Sequence, residues 1–285
     1  EVKWTTIMEK FPPSSIRKSK KVRRLVKQGI PDSIRGKVWL YLADAAKYRR
    51  PGLYEQLKTK EPLEIYEAIE RDIQRCYPNH VLFHEEHGVG QATLYAVLKA
   101  YAHYNQEVGY CQGMGRLVGL MLMQLDEEDA FWLLVATIDQ HLTGYYTPNL
   151  GRLRVDAEVF EHLLASHNPM LSKHLTENGV VPLMYVTQWF LTLFTMALPW
   201  ETVLRVWDVF YFGGKCYYCN KFLFRVALGI LDVSKDWLLH QCPTNSELLS
   251  YLLHLPVEKM RSDDILRAAF KVRLRRQEID RLARR

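Results

Sequence analysis

Two strings in this sequence carry side chains suited to chemistry on a charged group. The first, Ile69-Glu70-Arg71-Asp72-Ile73-Gln74-Arg75, ends in an arginine with a carboxylate three residues behind it. The second, Gly109-Tyr110-Cys111-Gln112-Gly113-Met114-Gly115, sets a glutamine among three glycines in seven residues. So many glycines mark a backbone that needs unusual angles or the close approach of another group. A loop entering a helix also presents free backbone amides, which favour nearby anions. Taken singly, each residue has a plainer account. Arg75 can complement the dipole at a helix C-terminus, Asp72 and Arg75 can form an exposed i, i+3 ion pair of little consequence, and Gln112 can be an ordinary loop amide. Tyr110 reads as a packing residue.

Other candidates fail on spacing. Gly29 to Lys37 superficially matches a phosphate-binding P-loop, but six residues rather than four separate Gly29 from Gly36, and Val38 stands where a magnesium-binding Ser or Thr is needed. His84-Glu85-Glu86-His87 holds its histidines three apart rather than four, so it is not a zinc-protease motif. No Gly-x-Ser-x-Gly elbow occurs. Cys216 and Cys219 with His240 and Cys242 form a conceivable zinc set, yet the second pair is only two apart and the stretch between is apolar. Buried free thiols are the expectation there. The chain therefore offers no nucleotide cradle, metal site or nucleophile of its own, and any substrate must be brought by something else.

The elements that hold these residues read as helices, because i, i+3, i+4 apolar spacing recurs in nearly every segment and period-two alternation is rare. Gly29-Ile30-Pro31-Asp32-Ser33 is a turn, with Asp32 or Ser33 placed to cap the helix through Ile34–Leu40. Pro62 is expected to open a second helix with Leu63, Tyr66, Ile69 and Ile73 on one face. Pro78 biases Tyr77 away from helical angles, so that helix ends near Arg75 to Tyr77 and Arg75 projects beyond its last turn. Helices follow over about 91–104 and 116–125, and from Asp126, whose acidic start suits the dipole. Breaks fall at Gly151, Pro169, Pro182, Pro199, Gly213-Gly214 and Pro243. Trp39, Trp189 and Trp207 read as core aromatics, and Arg35 as a structural residue buried against a carboxylate. The class is all-α, with a basic lead-in over 1–28, a first subdomain over 29–167 and a second over 168–285, divided where Ser166-His167-Asn168-Pro169 interrupts the pattern.

The bulk numbers agree with a globular chain. Its 285 residues are 48% hydrophobic and 25% charged, ordinary for a folded protein and wrong for a disordered one. No apolar run reaches the roughly 20 residues that span a bilayer. Five cysteines without even spacing point to a reduced, cytoplasmic protein. The opening Glu-Val-Lys-Trp is neither a signal peptide nor a natural start, so a longer parent is expected. The net charge of +6 is concentrated near the ends, at Arg17, Lys18, Lys20, Lys21, Arg23, Arg24 and Lys27, then Arg273, Arg275, Arg276, Arg281, Arg284 and Arg285. Such runs are solvated helix faces or sites for acidic partners, including anionic lipid. Nucleic acid is not expected, since no such motif is present and 32 acidic residues nearly match 38 basic ones.

Read together, the strings resemble the TBC-domain family of Rab GTPase-activating proteins. Ile69 to Arg75 fits its Ile-x-x-Asp-x-x-Arg signature, continued by Cys76-Tyr77-Pro78, and Tyr110-Cys111-Gln112 fits its Tyr-x-Gln signature. Gly29-Ile30-Pro31 with Arg35-Gly36 and Trp39 is similar to the opening motif. Gly179-Val180-Val181-Pro182, Trp189 to Phe194, and Leu204-Arg205-Val206-Trp207-Asp208 are similar to later blocks. One departure is Gly115, where the family commonly has Asn, a change expected to loosen the loop holding Gln112. The resemblance implies two helical subdomains forming a V-shaped groove for a Rab in its GTP form. It implies Arg75 as an arginine finger and Gln112 as a glutamine finger, both inserted in trans, with Asp72, Tyr110, Ile69, Arg35 and Trp39 in support. GTP and Mg²⁺ would belong to the partner, and the chain would have no cofactor and no turnover of its own. It would be monomeric and peripherally recruited to membranes, through the Rab or the basic termini. A non-catalytic scaffold that holds a Rab is the alternative.

Overall fold

The computed structural model describes residues 1–213 and 221–284. Every regular element among the described residues is a helix. The chain divides into two compact units. One comprises Glu1–Asn149 with the segment from Tyr211, and the other begins at Leu150 and continues to the C-terminus. The break at Asn149–Leu150 precedes the Ser166–Pro169 interruption, so the helix Gly151–His167 packs with the second unit rather than the first. The reason lies in its buried face: Leu153, Val159, Phe160, Leu163 and Leu164 belong to the second unit's core, where the Phe160 ring lies 6.3 Å from Phe190.

The first unit contains α1 (Val2–Lys10), α2 (Pro13–Ile16), α3 (Lys20–Gln28), α4 (Arg35–Leu42), α5 (Leu53–Lys58), α6 (Tyr66–Ile73), α7 (Val89–Tyr104), α8 (Met114–Leu122) and α9 (Glu127–Gln140). Its centre is α7, which packs against α5, α6, α8 and α9. Leu94, Val97, Leu98 and Tyr101 of α7 are almost wholly buried, each such side chain contributing about 1.5–3 kcal/mol relative to exposure. Aromatic edges fix the layer beside it: Phe131 lies 4.9 Å from Tyr54 and 5.8 Å from Tyr104. Trp39 is fully buried, 5.7 Å from the Tyr211 ring.

Two expected helix starts differ from the structure. Neither Asp32 nor Ser33 caps α4; residues Asp32–Ile34 form a 3₁₀ turn, and no side-chain cap is present. The Asp32 carboxylate is instead taken by the Arg35 guanidinium, and the Ser33 hydroxyl by Glu1. Pro62 does not open α6, which begins at Tyr66. Proline tolerates a first helical turn without nucleating one, and nucleation needs compensating burial. Leu63, Ile65 and Tyr66 are only half-buried, whereas Ile69 and Ile73 are buried, so the helix forms where its apolar face meets α7 and α8.

The second unit contains α10 (Gly151–His167), α11 (Pro169–Glu177), α12 (Leu183–Leu191), α13 (Trp200–Phe212, whose end returns to the first unit), α14 (Lys221–Gln241), α15 (Asn245–Leu253), α16 (Ser262–Lys271) and α17 (Arg276–Leu282). Trp189 and Trp207 are fully buried core residues with partnered N–H groups: Trp189 Nε1 donates to the Leu252 carbonyl at 3.1 Å, and Trp207 Nε1 to that of Leu193 at 2.9 Å. No helix among the described residues is long and apolar enough to cross a membrane.

Candidate functional site

Arg75 lies two residues past α6, where its backbone N–H still donates to the Asp72 carbonyl at 3.0 Å. Ile69, fully buried, anchors α6 so that Asp72 and Arg75 emerge at the helix end. Tyr77 then turns the chain in the left-handed region, at φ 52°, immediately before Pro78. Arg75's side chain remains 64% exposed, whereas the Asp72 side chain that it contacts is 9% exposed.

Asp72 organises the site. One carboxylate oxygen accepts from the Arg75 guanidinium and the other from the Tyr110 hydroxyl. Tyr110 is therefore more than the packing residue its sequence context indicates. Burial, reinforced by that hydrogen bond to Asp72, raises its phenol pKa, which keeps it a donor. Because Tyr110 stands two residues before Gln112, this one carboxylate brings the arginine segment and the glutamine segment together. The Gln112 side chain is exposed and makes no hydrogen bond among the described residues. Its loop is held from inside: Cys111 N–H donates to the Met114 sulfur at 3.2 Å, Met114 is fully buried, and Gly113 adopts φ 105° to begin α8.

The arginine segment is also seated directly on α8, through residues that the sequence reading left without a role. A Cβ at Gly115 would lie 2.7 Å from the Cys76 sulfur, and one at Gly119 would lie 2.7 Å from the Tyr77 ring. These two glycines, one helical turn apart, are notches for the two residues that follow Arg75. Gly115 is thus closely packed, contrary to the loosening expected from the loss of Asn. The Tyr77 hydroxyl donates to the Arg116 carbonyl at 2.7 Å, the Arg116 guanidinium lies 4.9 Å from the Tyr77 ring, and Arg116 Nη2 donates to the Arg75 carbonyl at 3.2 Å. The only sequence cue to this contact was the four-residue spacing of Gly115 and Gly119. Burial raises the Cys76 thiol to about 11, so it sits in its notch as a neutral side chain.

The remaining predicted residues support the frame at a distance. Arg35 is 5% exposed and donates to the Ile30 carbonyl at 2.6 Å as well as pairing with Asp32, so it braces the Gly29–Pro31 turn. Trp39 fills the core beneath α4. No cluster of three His, Cys, Asp or Glu suited to a metal is present among the described residues; Cys216 and Cys219 lie outside them. An open cleft of about 650 Å³ between α6 and the end of α7 is lined by Ile65, Glu67, Arg71, Gln106, Val108 and Tyr110, with neither Arg75 nor Gln112 in its wall. Both the Arg75 and Gln112 side chains are exposed.

Comparison with known proteins gives this arrangement a family. The Rab-GTPase-TBC domain model matches residues 32–239. The chain is 36% identical over 272 residues to TBC1 domain family member 10B of Homo sapiens, covering 92% of this chain and 32% of that protein. It is 40% identical over 238 residues to TBC1 domain family member whacked of Drosophila melanogaster, covering 82% of this chain and 64% of that one. It therefore spans about a third to two thirds of the length of these relatives. Its fold matches the crystal structure of the Chlamydomonas flagellar RabGAP TBC domain with a TM-score of 0.81 and 30% identity, over 94% of this chain and 89% of the other. The chain belongs to the Rab-GTPase-TBC domain family.

Proposed function

We propose that this protein accelerates GTP hydrolysis by a Rab-family GTPase, with Arg75 and Gln112 completing the partner's active site. Family membership supports the general role, and the shared carboxylate supports the assignment of residues. Asp72 gathers the Arg75 and Gln112 segments while leaving both functional side chains exposed to an incoming protein.

The chemistry follows from the residue types. Phosphoryl transfer spreads negative charge over the γ-phosphate oxygens, and catalysis is mainly positioning and charge stabilisation. Arginine stays charged and presents a planar fork of donors. Inserted in trans, such a residue is worth ~10³ to 10⁵ in rate, or about 4 to 7 kcal/mol of barrier. For Arg75 to reach a phosphate it must exchange Asp72 for the anion, and its exposure permits that exchange. Gln112 takes the task of orienting the attacking water. GTP and Mg²⁺ are carried by the partner, and the protein turns over nothing alone. Its membrane contact is peripheral, through the Rab or the basic helices.

Single-turnover phosphate release from a panel of GTP-loaded Rabs tests the proposal. Stimulation of at least one Rab is expected, with Arg75→Ala and Gln112→Ala each abolishing it while the protein stays folded. Normal stimulation by Arg75→Ala would defeat it. A scaffold that merely holds a Rab is separated by trapping: an activator binds Rab·GDP more tightly when aluminium fluoride mimics the transferring group, whereas a scaffold binds equally with and without it.

A further inference from the structure

Arg116 ties the arginine segment to the helix that follows the Gln112 loop. Its backbone lies in the first turn of α8, four residues after Gln112. Its guanidinium reaches back across 41 residues of sequence to the Arg75 main-chain carbonyl at 3.2 Å. On the way it lies over the Tyr77 ring, and that tyrosine returns a hydrogen bond to the Arg116 carbonyl at 2.7 Å. The contact is reciprocal: side chain to main chain in one direction, and side chain to main chain in the other. Beneath it, Cys76 and Tyr77 occupy the Gly115 and Gly119 notches, which set the height of the segment above α8.

We propose that Arg116 is a positioning residue for Arg75, holding the finger's backbone at a fixed distance from Gln112 before a partner arrives. The Arg75 side chain must leave Asp72 to meet a phosphate, and its own main chain is then held by the Arg116 bond and the Tyr77 contact. A long side chain swung from an untethered backbone would spend its binding energy on ordering. A tethered one meets the phosphate already placed, and misplacement by about 1 Å costs on the order of a hundredfold in rate. Planarity matters here, because arginine stacks on an aromatic face and donates in its own plane at once. The inference rests on the reading of Arg75 as the catalytic arginine.

Two measurements on the intact protein test it. The first needs no partner: alkylation of Cys76, followed by peptide mass spectrometry, with buried Cys242 as the internal control. Arg116→Ala is expected to speed Cys76 modification about tenfold and leave Cys242 unchanged, because the Arg75–Tyr77 segment that carries Cys76 loses its tether to α8. Unchanged Cys76 reactivity would overturn the clamp, whichever GTPase the protein serves. The second is single-turnover hydrolysis with a responsive Rab. Arg116→Ala is expected to lower the rate at saturating activator by about ten- to a hundredfold, with half-saturation within about twofold. Arg116→Gln, which keeps an N–H donor without the charge, is expected to recover part of that loss. An intact saturating rate, or a defect confined to half-saturation, would overturn positioning. So would full activity in Arg116→Lys together with none recovered by Arg116→Gln, which would make Arg116 a direct source of charge. If the wild-type protein stimulates no Rab, the proposed function fails and the alkylation result still decides the clamp.

Discussion

At the scale of single residues, Asp72 has two partners and each makes a different prediction. Removing its carboxylate as Asp72→Ala leaves the largely buried Tyr110 hydroxyl without its acceptor and Arg75 without its resting contact. An unsatisfied buried hydroxyl costs about 1–3 kcal/mol, so a loss of that size in urea unfolding is expected alongside impaired GTPase stimulation. Tyr110→Phe removes only one donor and should cost about 0.5–1.5 kcal/mol. Gly115 offers a complementary check. Gly115→Ala places a methyl 2.7 Å from the Cys76 sulfur, and overpacking of this kind costs about 1–3 kcal/mol. Cys76→Ala clears that space, so the double variant should be more stable than the sum of the two single effects. A double-mutant cycle measured by denaturant midpoint reads this directly, and strict additivity would mean the notch is not shared.

At the scale of elements, helical identity and the C-terminal end of α6 were legible in sequence because both depend on local signals. Apolar spacing placed Ile69 and Ile73 on one face, and Pro78 ended the regular backbone before it. The start of α6 was not legible, since Pro62 marks where a helix can begin and only burial against α7 and α8 decides where it does. Asp72, Arg75 and Gln112 were legible as strings, but Tyr110's bond to Asp72 and Arg116's bond to Arg75 join residues 38 and 41 apart. Periodicity within one helix carries no information about such contacts. The second unit makes a separate prediction about helix pairing. His167, at the end of α10, meets Asp232 of α14 at 2.8 Å, and this hydrogen bond raises the imidazole pKa above its ordinary 6.5. A group with a raised folded pKa contributes stability below its unfolded value and loses it as pH rises through the folded one. Denaturant midpoints should therefore fall from pH 6 towards the alkaline side more steeply in the native protein than in His167→Asn. Identical pH profiles would remove this pair from the account.

At the scale of the whole molecule, the charge excess is unevenly placed. On α3, Val22 and Val26 are buried while Lys20, Lys21, Arg23, Arg24 and Lys27 are exposed on the opposite arc, with Lys18 exposed just ahead. No acidic residue occurs between Phe11 and Pro31. The C-terminal run differs, since Arg276 pairs with Asp280 and Glu278 lies in the same short helix. Each Lys or Arg near an anionic membrane surface is worth about 1 kcal/mol, an attraction that salt screens. Substituting Lys20, Lys21, Arg23 and Arg24 with Gln should therefore weaken co-sedimentation with phosphatidylserine vesicles more than removing the C-terminal arginines does. Equal effects from both ends would argue for net charge rather than for the α3 face.

Phosphate release from a responsive Rab at saturating activator is the most direct test of the whole account. A drop of ~10³ or more is expected when the Arg75 guanidinium is truncated to Ala, with the protein still folded because that side chain is largely exposed and Asp72 keeps its Tyr110 donor. A truncated variant that hydrolyses GTP as fast as the native protein would contradict it.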